Sequence, residues 1–203
     1  MSTDRTPVLA FAVLLGSLAL FRLAGASFPL EWVNFSPFAA CLLLGGRFLP
    51  GRASLTWLLA VFFVTGLALN LAYGGPLFAW SGLVALLALA LAWLIGRALQ
   101  KRQAGFLLTL GGSLGAALLF YLLTNAFSWL GSDLYPKNLT GLQEAFWTGP
   151  PEAVLPTWWF FRNSLIGNVL FTTVYWWGVV HSPGKARVAK LAREATASRQ
   201  PSP

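Results

Sequence analysis

Residues 77–99 read LFAWSGLVALLALALAWLIGRAL, a run of twenty-three positions in which only Arg97 carries a charge. At 1.5 Å of rise per residue a helix of this length reaches about 34 Å, enough to cross the ~30 Å hydrocarbon core of a bilayer. Between Leu83 and Leu94 the run is almost entirely Leu and Ala, so it has no polar face to present to water. The rest of the chain has the same character. Of its 203 residues 57% are hydrophobic and 10% charged, with 10 Trp and 16 Phe. A water-soluble domain carries about 25% charged residues to cover its surface. The bilayer is therefore the expected solvent. At roughly 20 to 25 residues per span, six helices use up the chain and leave no room for a separate soluble catalytic domain.

Apolar runs bounded by Gly, Pro and charge place the six spans at Pro7–Leu23, Asn34–Leu49, Leu55–Tyr73, Leu77–Leu99, Phe106–Leu130 and Leu155–Val180. The expected fold is thus all-α: a polytopic membrane bundle forming one transmembrane domain over residues 1–181, followed by a basic, disordered cytoplasmic tail over 182–203. Lys and Arg are retained on the cytoplasmic side. With the amino terminus inside, Arg5, Arg47, Arg52, Arg97, Lys101, Arg102 and the five basic residues of the tail all fall inside, 11 of the 14 in the chain. Arg22, Lys137 and Arg162 fall outside, together with Glu31, Asp133, Glu144 and Glu152. Both termini are accordingly expected in the cytoplasm. Ala24-Gly25-Ala26 resembles a signal-peptide cleavage site, but Arg22 interrupts the approach to it, and the first helix is read as retained. The outer segment Gly131–Pro156 is too long for a turn and is expected to hold a short interfacial helix near Leu139–Trp147. Trp residues such as Trp32, Trp80, Trp129 and Trp177 fall near span ends, where indoles anchor at headgroup depth.

Polar groups inside the apolar spans are costly and therefore informative. Asn34, Asn70, Asn125, Arg162 and Asn163 all fall in the outer half, and Asn168 lies about one and a half turns deeper. Their shared depth suggests an outward-opening polar chamber; the competing reading is that the asparagines cap helices or bond across them. In such a chamber the fixed charge and planar donors of Arg162 suit a carboxylate or phosphate. The amides read donors and acceptors on a small solute, while Tyr121 and Trp129 cover an aromatic part. Gly111, Gly112 and Gly115 on the fifth helix form small-residue pairs that admit a close helix contact.

Several functions lack their residues. No H-E-x-x-H, G-x-S-x-G, carboxylate-rich metal set or phosphate-binding G-x-x-x-x-G-K-[ST] occurs, so no enzyme, cofactor or self-powered pump is expected. The lone Cys41 excludes a disulfide within the chain. The net charge of +8 is spread over span ends rather than gathered on one face, which argues against nucleic acid as a partner.

The run Asn34-Phe35-Ser36-Pro37-Phe38-Ala39-Ala40, with Gly45-Gly46 after it, resembles the second helix of a family of small six-helix bacterial inner-membrane proteins assigned to transport without a characterised function. Tyr121 to Trp129, Tyr135-Pro136 to Gly141-Leu142, and Phe161 to Asn168 are similar to that family's other recurrent segments. In size and topology the family is similar to the S components of energy-coupling factor vitamin transporters. The resemblance implies outward capture of a vitamin-like solute by Asn34, Asn70, Asn125, Trp129, Arg162 and Asn163, with a coupling membrane subunit and ATPases as partners. The first helix, with Ala10, Leu14 and Leu18, departs from the Ala-x-x-x-Ala docking face of those carriers. The expected function is therefore a membrane solute-binding or uptake protein, in contact with lipid and with a small polar, anionic solute. A noncatalytic membrane scaffold is the alternative, and an intramembrane enzyme stands behind both.

Overall fold

The computed structural model describes residues 6–49, 51–74 and 80–180; Arg5, His181, the expected tail over 182–203 and the expected start of the fourth span at Leu77 lie outside them. Among the described residues the chain is all helical, with no strand: α1 (Thr6–Ala24), α2 (Phe38–Phe48), α3 (Ala53–Ala72), α4 (Trp80–Lys101), α5 (Phe106–Gly131), α6 (Leu139–Gln143) and α7 (Thr157–Val180). Two single 3-10 turns, Gly25–Ser27 and Leu30–Trp32, link α1 to α2. A π-helical turn, Glu144–Thr148, extends α6. It closes at Gly149, whose φ of 82° is a left-handed conformation that glycine adopts without a side-chain penalty. Three helices, α3, α4 and α5, are long and apolar enough to cross a membrane.

Long apolar runs fold where the sequence places them, but the second segment is shorter than expected: α2 begins at Phe38, four residues after Asn34. Asn34 sits at φ 66°, outside the helical region, and Pro37 precedes the first helical residue. Residues 33–37 therefore run as irregular chain into α2. Eleven residues reach about 16 Å, roughly half a bilayer core, so α2 alone cannot span one. Its surroundings compensate. All nine residues from Ala39 to Arg47 are buried, which is where a helix that is apolar on every side belongs. The core gathers around it, with Leu14 and Leu18 of α1, Leu58 and Phe62 of α3, Leu89 and Trp93 of α4, and Ala116 and Ala117 of α5.

The register of contacts gives the helix directions. Leu14 and Leu58 both approach Gly45, and Arg22 lies over Phe62, so α1 and α3 run parallel. α2 and α4 cross where Gly46 faces Trp93 and Gly96 faces Leu43, and they run parallel, since Arg47 at the end of α2 reaches the carbonyls of Leu99 and Ala104 at the end of α4. Tyr121 against Phe161 and Ser113 against Thr172 make α5 and α7 antiparallel. The ends of α1, α3 and α5 and the starts of α2, α4 and α7 thus share one end of the bundle, hereafter the loop end, which also carries residues 132–156.

At the α2–α4 crossing a Cβ on Gly46 would overlap the Trp93 carbonyl, and one on Gly96 would overlap the Leu43 carbonyl. Only glycine permits that approach of backbone on backbone. The approach brings Arg47, the next residue of α2, across to the end of α4. There Nη1 donates to the Leu99 carbonyl at 2.8 Å and Nη2 donates to that of Ala104. Helix carboxyl ends carry unpaired carbonyls and partial negative charge, so a buried guanidinium is a suitable cap. Trp93 Nε1 donates to Ser54 Oγ at 3.1 Å, tying α4 to the start of α3.

Ala in place of Gly46 or Gly96 should lower the melting temperature of the detergent-solubilised protein, with an overpacking cost of about 1–3 kcal/mol or more. Gly111→Ala is the control. Nothing lies within 4 Å of a Cβ there, so it should be neutral or gain up to about 1 kcal/mol from helix propensity. Equal melting temperatures for the three variants would contradict the crossing.

Candidate functional site

The polar residues singled out within the apolar runs of the sequence fall into four separate places. The first is the start of α7, where four side chains hold residues 31–34. Trp159 Nε1 donates to the Glu31 carbonyl at 3.1 Å, Asn163 Nδ2 to the carbonyls of Glu31 (2.6 Å) and Val33 (2.9 Å), and Ser164 Oγ to that of Asn34 at 3.2 Å. Asn163 Oδ1 accepts from Arg162 Nη2 at 2.9 Å and from Nε at 3.2 Å. Asn163 is fully buried and its amide is fully occupied by the protein. Arg162 also reaches the Glu31 carbonyl at 3.4 Å and stacks over the Trp159 ring, 3.9 Å from its centroid. Gly167, one turn deeper, lets the Ser36 backbone lie directly on α7. These contacts fasten the irregular entry to α2 onto α7.

The second place is the middle of the α5–α7 contact. Thr172 Oγ1 donates to Ser113 Oγ at 2.8 Å, Ser113 Oγ to Asn168 Oδ1 at 3.2 Å, and Asn168 Nδ2 to the Ser164 carbonyl at 2.8 Å. All three side chains are buried, and the relay joins two helices through groups that satisfy one another.

The third place is the loop-end part of α5. Tyr121 stacks on Phe161, with centroids 4.5 Å apart, and its hydroxyl donates to the Phe146 carbonyl. Asn125 Nδ2 turns back to the Tyr121 carbonyl at 2.8 Å, and Trp129 Nε1 donates to the Pro136 carbonyl at 3.0 Å. Tyr121 and Trp129 thereby hold the loop segment down. Within that segment burial, and then the nearby Glu144 carboxylate, push the Tyr135 phenol above its ordinary pKa.

The fourth place is a cavity of about 410 Å³ between α1, α3 and the start of α4. Its volume lies in the range of small-molecule sites. Arg22 from α1, Phe62, Phe63, Gly66 and Asn70 from α3, and Trp80 from α4 border it, and none of the described residues lining it is acidic. The Arg22 guanidinium lies over the Phe62 ring, 3.8 Å from its centroid, and 5.5 Å from that of Phe38. Arg22 Nε is shielded from solvent and has no hydrogen-bond partner among the described residues. Gly66 makes room for the guanidinium, since a Cβ there would lie 3.1 Å from Nη2. Trp80 is 76% exposed at the edge of this space.

Of the eight residues expected to bind solute, Asn70 alone borders this cavity. Asn34, Arg162 and Asn163 come together at the start of α7, where Asn34 contributes its carbonyl and its left-handed backbone. Asn168 lies in the α5–α7 relay, and Tyr121, Asn125 and Trp129 lie beneath the loop. Of the three glycines expected at a helix contact, Gly112 faces Leu99 and Ile95 of α4, while Gly111 and Gly115 open onto a free face. Sequence reasoning missed Arg22, Gly66 and Trp80. The sequence places Arg22 among the outer cations, and the available signal was that it is the one charge in α1, set in the last turn of an apolar helix.

Asn163→Ala removes donors from two carbonyls and the acceptor from Arg162, so it should cost about 1–3 kcal/mol and open residues 25–37 to protease in detergent. Unchanged stability and an unchanged digestion pattern would contradict the fastening role.

No curated protein and no solved structure matches the chain. A family model does, over residues 2–189, and by that match the chain belongs to a family of unknown function, DUF6580.

Proposed function

We propose that this protein is an integral membrane solute-binding protein of the uptake type, holding a small anionic solute in the cavity between α1, α3 and α4. The observation that carries the reading is Arg22: a guanidinium at a largely apolar cavity, with no acid among the described residues that line that space. A charge kept at such a position is costly and marks a ligand pathway more often than a structural contact. Arg stays protonated under all ordinary conditions, so its counterion must come from outside the cavity wall.

The membrane setting rests on α3, α4 and α5 and on the distribution of charge. Among the described residues Glu31, Asp133, Glu144 and Glu152 all belong to the loop end, and Arg47, Arg52, Arg97, Lys101 and Arg102 to the opposite end. The positive-inside tendency puts the loop end outside and both termini in the cytoplasm. In this reading the chain crosses six times, the second crossing being made by α2 together with the irregular segment before it. The cavity then lies toward the outer face, as it would in an S component. The chain has no nucleotide-binding motif, so inward release would require a coupling subunit with ATPases. A scaffold is the second reading, favoured by the open face at Gly111 and Gly115.

Native mass spectrometry of the protein gently extracted from its own membrane tests the proposal. A discrete small-molecule adduct should be present, lost in Arg22→Gln and retained in Arg162→Ala. An adduct-free protein associated only with other membrane proteins would favour the scaffold.

A further inference from the structure

We infer that the occupant of this cavity is a monoanion on an apolar, planar or chain-like body, bound with its acid group at the cavity floor and its body toward Trp80. The inference rests on the solute-binding reading above and adds the ligand's charge, orientation and approximate length.

Charge counting fixes the first part. The described residues lining the cavity supply one cation, Arg22, and no anion. A neutral ligand would leave a desolvated guanidinium unpaired, and a dianion would bring a second unpaired charge; each costs several kcal/mol in a low-dielectric site. A single negative charge is the best match.

Orientation follows from where the guanidinium sits. It lies at the level of Phe62 and Gly66, which are eight and four residues before Asn70 on α3. The charge is therefore about 6–12 Å below the level of Asn70. The Phe62 ring covers one face of the guanidinium, which leaves the hydrogen-bonding edge as the surface an acid can meet. Beside and above that level the space is bordered by Phe63, Leu67 and Leu86, with Asn70 and Trp80 nearer the end of the helices. An acid group on the floor thus has a largely apolar channel roughly one to two helical turns long for its body, ending beside an indole that can stack on it.

Two sources supply this chemistry: a free carboxylic acid with an aromatic or aliphatic body, and the phosphodiester of an acidic lipid. Both are monoanions with apolar bodies. The full-length protein in phosphatidylcholine nanodiscs would be titrated by calorimetry with 2-naphthylacetate, its neutral amide and 2,6-naphthalenedicarboxylate. Parallel titrations would use nanodiscs containing phosphatidylglycerol.

The expected result is that the monoacid binds at least tenfold more tightly than the amide or the diacid. Arg22→Gln should abolish that preference. Gly66→Ala, which keeps the charge but crowds Nη2, should weaken the monoacid several-fold and leave the amide unchanged. Phosphatidylglycerol should weaken the monoacid if a lipid phosphodiester is the natural occupant and have no effect if a free acid is.

Equal affinities for monoacid and amide, or a preference surviving in Arg22→Gln, would overturn the inference while leaving a solute-binding cavity. Failure of every probe to bind, with a small-molecule adduct still seen in native mass spectra, would overturn the ligand class alone. Failure of every probe together with adduct-free spectra would overturn both readings.

Discussion

The contact on which the bundle depends is the approach of α2 and α4 at Gly46 and Gly96, where each helix presses its backbone against the other with no side chain between. In the proposed lipid setting there would be no hydrophobic gain from helix association itself, and dispersion between closely fitted surfaces would carry more of the load. That fit sinks an eleven-residue helix into the centre of the protein and arranges the longer helices around it. It also places Arg47 where its guanidinium closes the end of α4. A side chain at either glycine would separate the helices and withdraw the cap together with the packing.

A helix as short as α2 creates a second constraint, because the chain must reach it through irregular backbone whose carbonyls need donors. The start of α7 supplies them. Trp159, Asn163 and Ser164 together satisfy the loop carbonyls of Glu31, Val33 and Asn34, Asn163 giving two of its four bonds to this role. Seen this way, the polar residues of α7 answer the geometry of α2, and the relay of Ser113, Asn168 and Thr172 fixes the rotation at which α7 can do so. Arg22 stands apart from these networks. Among the described residues it is held by aromatic faces, and its side chain borders the cavity between α1, α3 and α4.

The long helices were legible because a run of Leu, Ala and Val with one charge has few alternatives: α5 ends one residue beyond the expected Leu130, and α3 and α4 differ by one or two residues at the ends described. The start of α2 was not legible, since Asn34-Phe35-Ser36-Pro37 is as apolar as a helix start and its left-handed Asn34 is set by contacts with a helix more than a hundred residues later. Sequence depth placed the asparagines near one end of the bundle but contained no helix rotation, and rotation decides whether an amide faces a cavity or a neighbouring carbonyl. For that reason Asn70 and Asn163, read alike in sequence, occupy different surroundings. The small-residue pattern on α5 drew attention from Gly96, whose importance depends on a partner glycine fifty residues earlier.

The account predicts a ligand where the protein leaves a charge without a counterion. An experimental density map of the protein purified with its native lipids, without added solutes, tests that most directly. Non-protein density between the Arg22 guanidinium and Trp80, with an oxygen-bearing end against the guanidinium, is the result expected. A cavity closed by the protein's own side chains, with Arg22 paired to an acid of this chain or turned out to the headgroups, would contradict it.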